Sequence, residues 1–129
     1  MQDERKTVVV VEDNALNMKL FEQILQQGGF TAIPSLDGHG LVELVRGARP
    51  TCILMDIQLP HVSGFDLMKQ VKGEADLRET PIVAVTAYAP GHERNRFLDA
   101  GFDAFLPKPI SVRVLLSTVG QFSGGAVPA

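Results

Sequence analysis

The sequence predicts a doubly wound α/β domain: a five-stranded parallel sheet with helices on both faces. Three observations predict it. Short β-branched runs alternate five times with longer segments of helical period. The central runs are apolar at every position, the pattern of strands covered on both sides. A length of 129 residues with 45% hydrophobic and 21% charged side chains suits one folded domain with a sizeable core.

The elements follow in order. "TVVVV" (7–11) reads as a buried strand and "NALNMKLFEQILQQGG" (14–29) as a helix, with Leu16, Leu20, Ile24 and Leu25 as its apolar stripe and Gly28-Gly29 as its end. "TAIPS" (31–35) is a short strand that Pro34 places at the sheet periphery, and "GLVELVRGA" (40–48) a short helix. "TCILMD" (51–56) is an apolar strand ending in an acid, followed by a helix over "GFDLMKQVKG" (64–73). "PIVAVTA" (81–87) is the fourth strand, and "ERNRFLDAG" (93–101) a helix closed by glycine. "DAFL" (103–106) is the fifth strand, and "SVRVLLSTVGQF" (111–122) a last helix capped by Ser111, with a Val112–Leu115–Leu116–Val119 stripe. Residues 1–122 form the expected domain and 123–129 a short flexible tail.

Composition excludes several classes. A net charge of −3 without a basic cluster disfavours nucleic-acid binding. No stretch is apolar for long enough to span a bilayer and no signal peptide is recognisable, so a cytoplasmic protein is expected. The single cysteine, Cys52, sits in the apolar run "CILM" and reads as a buried structural thiol.

In such a sheet, ligands bind at the carboxyl ends of the strands. There strand one delivers Glu12-Asp13, strand three Asp56, strand four Thr86 and strand five Lys108. Each alone is weak: an acid after a strand is as often a turn former or helix cap, and Asn14 equally suits the cap. Together they are informative. Three converging carboxylates repel one another unless a cation joins them, and Mg²⁺ takes one or two carboxylates plus waters and phosphate oxygens. Asp56, ending the most apolar strand, is the candidate nucleophile, since carboxylates attack phosphorus to give aspartyl phosphates. Lys108, held between Pro107 and Pro109, and Thr86 suit a transferring phosphoryl group as ammonium and hydroxyl.

With Glu12-Asp13, "LMDIQLPHVSG", "VTA" and "KP" in view, the sequence resembles the CheY-like receiver domain of two-component response regulators over almost its whole length. The resemblance implies a flavodoxin-like fold with strand order 2-1-3-4-5. It implies Asp56 as phosphoacceptor, and Mg²⁺ held by Asp13, Asp56 and the Gln58 backbone carbonyl, with Glu12 acting through water. It further implies Lys108 and Thr86 on the phosphoryl group, Ala87 leaving space beside it, Thr86 and Phe105 as a switch pair, and a cis Lys108–Pro109 bond. Pro60 and Gly64 would shape the loop after Asp56. More narrowly, "VEDNALNMKLF", "ILMDIQLP", "VAVTA" and "KPISV" resemble the DivK-type single-domain regulators of alphaproteobacterial cell division. The Glu12-Asp13-Asn14…Asn17 pattern also suits receivers of hybrid histidine kinases.

The resemblance implies a phosphoacceptor assisting its own Mg²⁺-dependent phosphotransfer and dephosphorylation, not a turnover enzyme. Its expected partners are sensor histidine kinases or a histidine phosphotransferase, met through helix one and the loop after strand five. A downstream kinase or adaptor would bind in trans, with the chain a monomer or weak dimer, recruited to membrane-bound kinases at the cell pole. A haloacid-dehalogenase-type hydrolase needs an acid two residues after the nucleophile, where Gln58 stands. A dinucleotide-binding module would not place Glu12-Asp13 against phosphate. A pseudo-receiver scaffold would be expected to lack one of the key residues. His39, His61 and His92 show no metal spacing, Met18, Met55 and Met68 read as core or near-core filling, and Val114 is equally an exposed contact or a covered residue. Pro90-Gly91 leave the start of the fourth helix open, and Pro107 has no functional assignment.

Overall fold

The computed structural model describes residues 6–59, 62–87 and 91–123, apart from the side chains of 91–95. Strands β1 (Lys6–Val11), β2 (Phe30–Ser35), β3 (Cys52–Asp56), β4 (Ile82–Thr86) and β5 (Ala104–Pro107) alternate with helices α1 (Ala15–Gln27), α2 (Leu41–Ala48), α3 (Gly64–Lys72), α4 (Gly91–Ala100) and α5 (Val112–Phe122). The strands pair in parallel in the order β2-β1-β3-β4-β5, as expected. Pro34 accordingly lies in an edge strand.

The two-residue period of the strands builds two cores. Val8, Val10, Cys52, Leu54, Val83, Val85 and Leu106 face α1 and α5. Val9, Val11, Ile53, Met55, Ile82 and Ala84 face α2, α3 and α4. Cys52 is wholly buried, and burial pushes its thiol up to about 12, which makes it inert at neutral pH. Met18, Met55 and Met68 are all core residues, as expected.

Two stripes need correction. In α1 the buried face is Met18–Phe21–Ile24–Leu25, while Leu16 is 78% and Leu20 45% exposed. Both stripes have helical spacing and share Ile24 and Leu25; Phe21 and Met18 win because they bury more apolar surface than two leucines. In α5, Leu115 and Val119 are buried but Val112 is 45% exposed, and Val114, also 45% exposed, is not covered by a neighbouring helix. Val112 is the first residue after the Ser111 cap, whose hydroxyl accepts from the Val114 N–H at 3.3 Å.

A 3₁₀ turn at Ala75–Leu77 lies outside the expected elements, since three residues carry no periodic signal. Arg46 of α2 pins it, reaching Glu74 and Asp76 at 2.8 Å each. The fourth helix begins at Gly91; Pro60, His61 and Pro90, the His92 side chain and the tail from 124 lie outside the described residues.

Candidate functional site

Parallel strands bring their carboxyl ends to one edge, and the predicted residues gather there. Glu12 follows β1, Asp56 ends β3 and Lys108 follows β5. Glu12, Asp13 and Asp56 each offer a carboxylate oxygen, all within 4.8 Å of one another. Glu12 is 1% and Asp56 4% exposed, whereas Asp13 faces solvent. The Lys108 Nζ lies 3.3 Å from Asp56 Oδ2 and 3.7 Å from Glu12 Oε1.

Local backbone explains these positions. The Asn14 side chain caps α1 by accepting from the Asn17 N–H at 2.9 Å, and the Asn14 N–H donates to Glu12 Oε2 at 3.1 Å. Asn14 thus orients Glu12 as well as capping the helix, a role its capping signal alone does not reveal. The Gln58 N–H donates to Asp56 Oδ1 at 3.0 Å, so one acceptor oxygen is pinned and the other turns to Lys108. The Lys108 N–H donates to the Thr86 carbonyl at 2.8 Å, prolonging the β4–β5 ladder. Donors alternate sides along a strand, so the Pro107 nitrogen faces the open edge and its missing N–H costs no sheet bond. The Lys108–Pro109 peptide is cis.

Thr86 is fully buried, one residue beyond the register partner of Asp56, and Ala87 is exposed just after it. Phe105 stands farther back on β5, half-buried on the α4 side, its ring stacked 5.4 Å from Phe97.

A receiver profile, described as the response regulator receiver domain, matches residues 8–120. The chain belongs to the response regulator receiver domain family. Among curated relatives, the polar-differentiation response regulator DivK of Brucella anthropi is 42% identical over 94% of this chain and 98% of its own. DivK of Brucella ovis is 41% identical over the same shares. The receiver domain of a sensor histidine kinase from Pseudomonas aeruginosa, solved with magnesium coordinated in its active-site cleft, superposes with a TM-score of 0.83 at 29% identity, covering 94% of this chain and 99% of that one. A chemotaxis CheY of Vibrio cholerae shares the fold at 24% identity and a TM-score of 0.82, over 92% of this chain and 98% of its own.

The receiver's acidic cluster suits a small hard cation. Three carboxylates gather here, the Lys108 ammonium lies against two of them, and Glu12 Oε1 is buried without a hydrogen-bond partner. Burial raises the Glu12 pKa above its ordinary 4.5; the Asn14 N–H opposes this, and the Asp56 charge adds to it. A raised carboxylate stabilises the fold below its unfolded pKa and loses that contribution as pH rises through the folded one. In metal-free buffer, Glu12→Gln is therefore expected to raise the midpoint of thermal unfolding at pH 7 by about 5 °C. The gain should fade toward pH 4.5, where the wild-type carboxyl binds its own proton. Equal midpoints at pH 7 in differential scanning calorimetry would contradict the burial cost.

Gly64 shapes the loop after Asp56, as anticipated. The Gly64 N–H donates to the Ile57 carbonyl at 3.3 Å, and Gln58 and Ser63 form an antiparallel bridge. A Cβ on Gly64 would lie 2.8 Å from the Asp56 carbonyl oxygen and 2.9 Å from the Ile57 Cα, and backbone cannot swing aside. Gly64→Ala is expected to cost about 2–3 kcal/mol in urea unfolding. An unchanged urea midpoint would show that the loop relaxes freely.

Proposed function

We propose that this receiver accepts a phosphoryl group on Asp56 from a phosphohistidine on a kinase or histidine phosphotransferase, and signals by changing which protein it binds in trans. The observation that carries the reading is the 3.3 Å Lys108–Asp56 contact inside a three-carboxylate cluster on a receiver frame. One Asp56 oxygen forms the new O–P bond as the donor's N–P bond breaks. The leaving imidazole keeps the electron pair and takes a proton. Gln58 N–H holds one carboxylate oxygen, leaving the other to attack, and Lys108 meets the charge gathering on the phosphoryl oxygens. Asp13, Asp56 and the Gln58 carbonyl would hold Mg²⁺, with Glu12 acting through water. Bound there, the ion neutralises the clustered carboxylates and the incoming phosphoryl oxygens. Thr86 and Phe105 then respond to the new charge, shifting the population of the α4–β5–α5 face. The chain assists its own phosphorylation and dephosphorylation without turning over a separate substrate.

The DivK relatives, named for polar differentiation, support a role in cell-division control. No helix among the described residues is long and apolar enough to cross a membrane. The proposed setting is the cytoplasm, with recruitment to membrane-bound kinases.

The test is incubation with acetyl phosphate followed by intact mass measurement. We expect a gain of one phosphoryl group with Mg²⁺ and none with chelator, the adduct being cleaved by hydroxylamine as an acyl phosphate is. No adduct, or one indifferent to chelation, would overturn the reading.

A further inference from the structure

Four phenylalanines meet between α3, α4 and β5: Phe65, and the more distant run Phe97, Phe102 and Phe105. The Phe65 and Phe97 rings stack with centroids 5.5 Å apart at 21°, and Phe97 stacks in turn on Phe105 at 5.4 Å and 18°. Phe102 closes the side edge-on, 5.5 Å from Phe65 and 6.1 Å from Phe97. The Arg96 guanidinium carbon lies 5.7 Å from the centre of the Phe65 ring. Phe97, the middle ring, is 2% exposed and lies between the two rings on which it stacks.

Both ends of this column are tied to the acidic site. Phe65 directly follows Gly64, which packs so tightly that an added Cβ would sit 2.8 Å from the Asp56 carbonyl oxygen. Any displacement of the Asp56–Ile57 backbone therefore pushes on the first turn of α3. At the other end, Phe105 pairs with Ala84 across the sheet and stands three residues before Lys108, whose N–H is bonded to Thr86. The loop behind the acceptor and the strand carrying its counter-charge are thus joined twice, once through Lys108–Asp56 and once through the rings.

We propose that the Phe65–Phe97–Phe105 column couples the state of Asp56 to β5, so that Phe105 responds to phosphorylation through α3 and α4 as well as through Thr86. The proposal rests on the phosphoacceptor reading given above. Phe65 and Phe97 are positioning residues in it: they touch no phosphoryl group and act through the packing of their neighbours. A close-packed stack of rings has few intermediate arrangements, so a shift at one end is passed on and not absorbed. Coupling of this kind is reciprocal, so loosening the stack also alters how strongly β5 feels the acceptor.

Aromatic NMR on the full chain tests it, with phosphoryl uptake from acetyl phosphate and Mg²⁺ followed by mass in the same sample. We expect the ring resonances of Phe65, Phe97 and Phe105 all to move on phosphorylation. Phe65→Leu keeps apolar volume but removes the stack. It should take up the phosphoryl group to the wild-type level while the Phe105 ring response falls by about threefold. A merely structural role for Phe65 would lower unfolding stability and leave that response intact. Uptake with static Phe65 and Phe97 rings in the wild-type chain overturns the column whether or not the variant folds, and so does a full Phe105 response in Phe65→Leu. No uptake by the wild-type chain overturns the phosphoacceptor reading itself, and the proposal with it.

Discussion

Asp56→Asn is expected to lower phosphoryl uptake from acetyl phosphate at least about a thousandfold, to the limit of detection, while the protein stays folded. The loss follows from the nucleophile. A carboxylate oxygen carries the charge that attacks phosphorus; a neutral amide oxygen does not, and the amide nitrogen would face the ammonium. Folding should survive because each neighbour keeps a partner. The oxygen of the introduced amide still accepts from the Gln58 N–H, which lies 3.0 Å from Asp56 Oδ1 in the wild-type chain. Lys108 turns to Glu12, already 3.7 Å away. Removing one of three clustered carboxylates also relieves repulsion at neutral pH. Intact mass after incubation with donor reads the first outcome, and circular dichroism with thermal unfolding reads the second. Undiminished labelling would move the acceptor to another carboxylate, of which Asp13 is the nearest exposed one.

The sequence and the structure agree best where a residue's position follows from the backbone alone. Glu12, Asp13, Asp56, Thr86 and Lys108 each end or follow a strand, and parallel strands have only one edge at which such ends meet. Their convergence was therefore legible before any side chain was placed. Pro107 is the reverse case. Its cost depends on which way a single nitrogen points, and only the Lys108–Thr86 hydrogen bond reveals that it points outward. The helix faces were half legible. Spacing limits α1 to two stripes, but choosing Met18–Phe21 over Leu16–Leu20 depends on what the sheet offers opposite, which is long-range information. The aromatic column was not legible at all. Phe65, Phe97, Phe102 and Phe105 share no period, and they meet only because β4 and β5 pair in the observed register beneath α3 and α4.

That same convergence gives Lys108 an effect on stability as large as its effect on signalling. Its side chain is 26% exposed, yet it is the cation seen against two almost wholly buried carboxylates. Truncating one partner of a buried charge set leaves the others uncompensated, which costs far more than an exposed ion pair contributes. Lys108→Ala in metal-free buffer is therefore expected to lose about 2–3 kcal/mol of unfolding stability, with the deficit lessening as pH falls through the raised pKa of Glu12. A divalent cation supplies the missing positive charge, so saturating Mg²⁺ should stabilise the variant more than the wild type. Phosphoryl uptake should persist at a reduced rate, because Asp56 and its Gln58 hydrogen bond remain. What should weaken is the response of β5. Without an ammonium at its end, this strand senses the charge on Asp56 only through Thr86 and the Phe65–Phe97–Phe105 stack, and the phosphorylation shifts of the amide resonances of residues 104–108 should shrink. Denaturant titrations with and without Mg²⁺ separate the two roles. If Mg²⁺ stabilises both proteins equally, Lys108 is not neutralising the carboxylates; if β5 shifts as far as in the wild type, Lys108 is not one of its sensors.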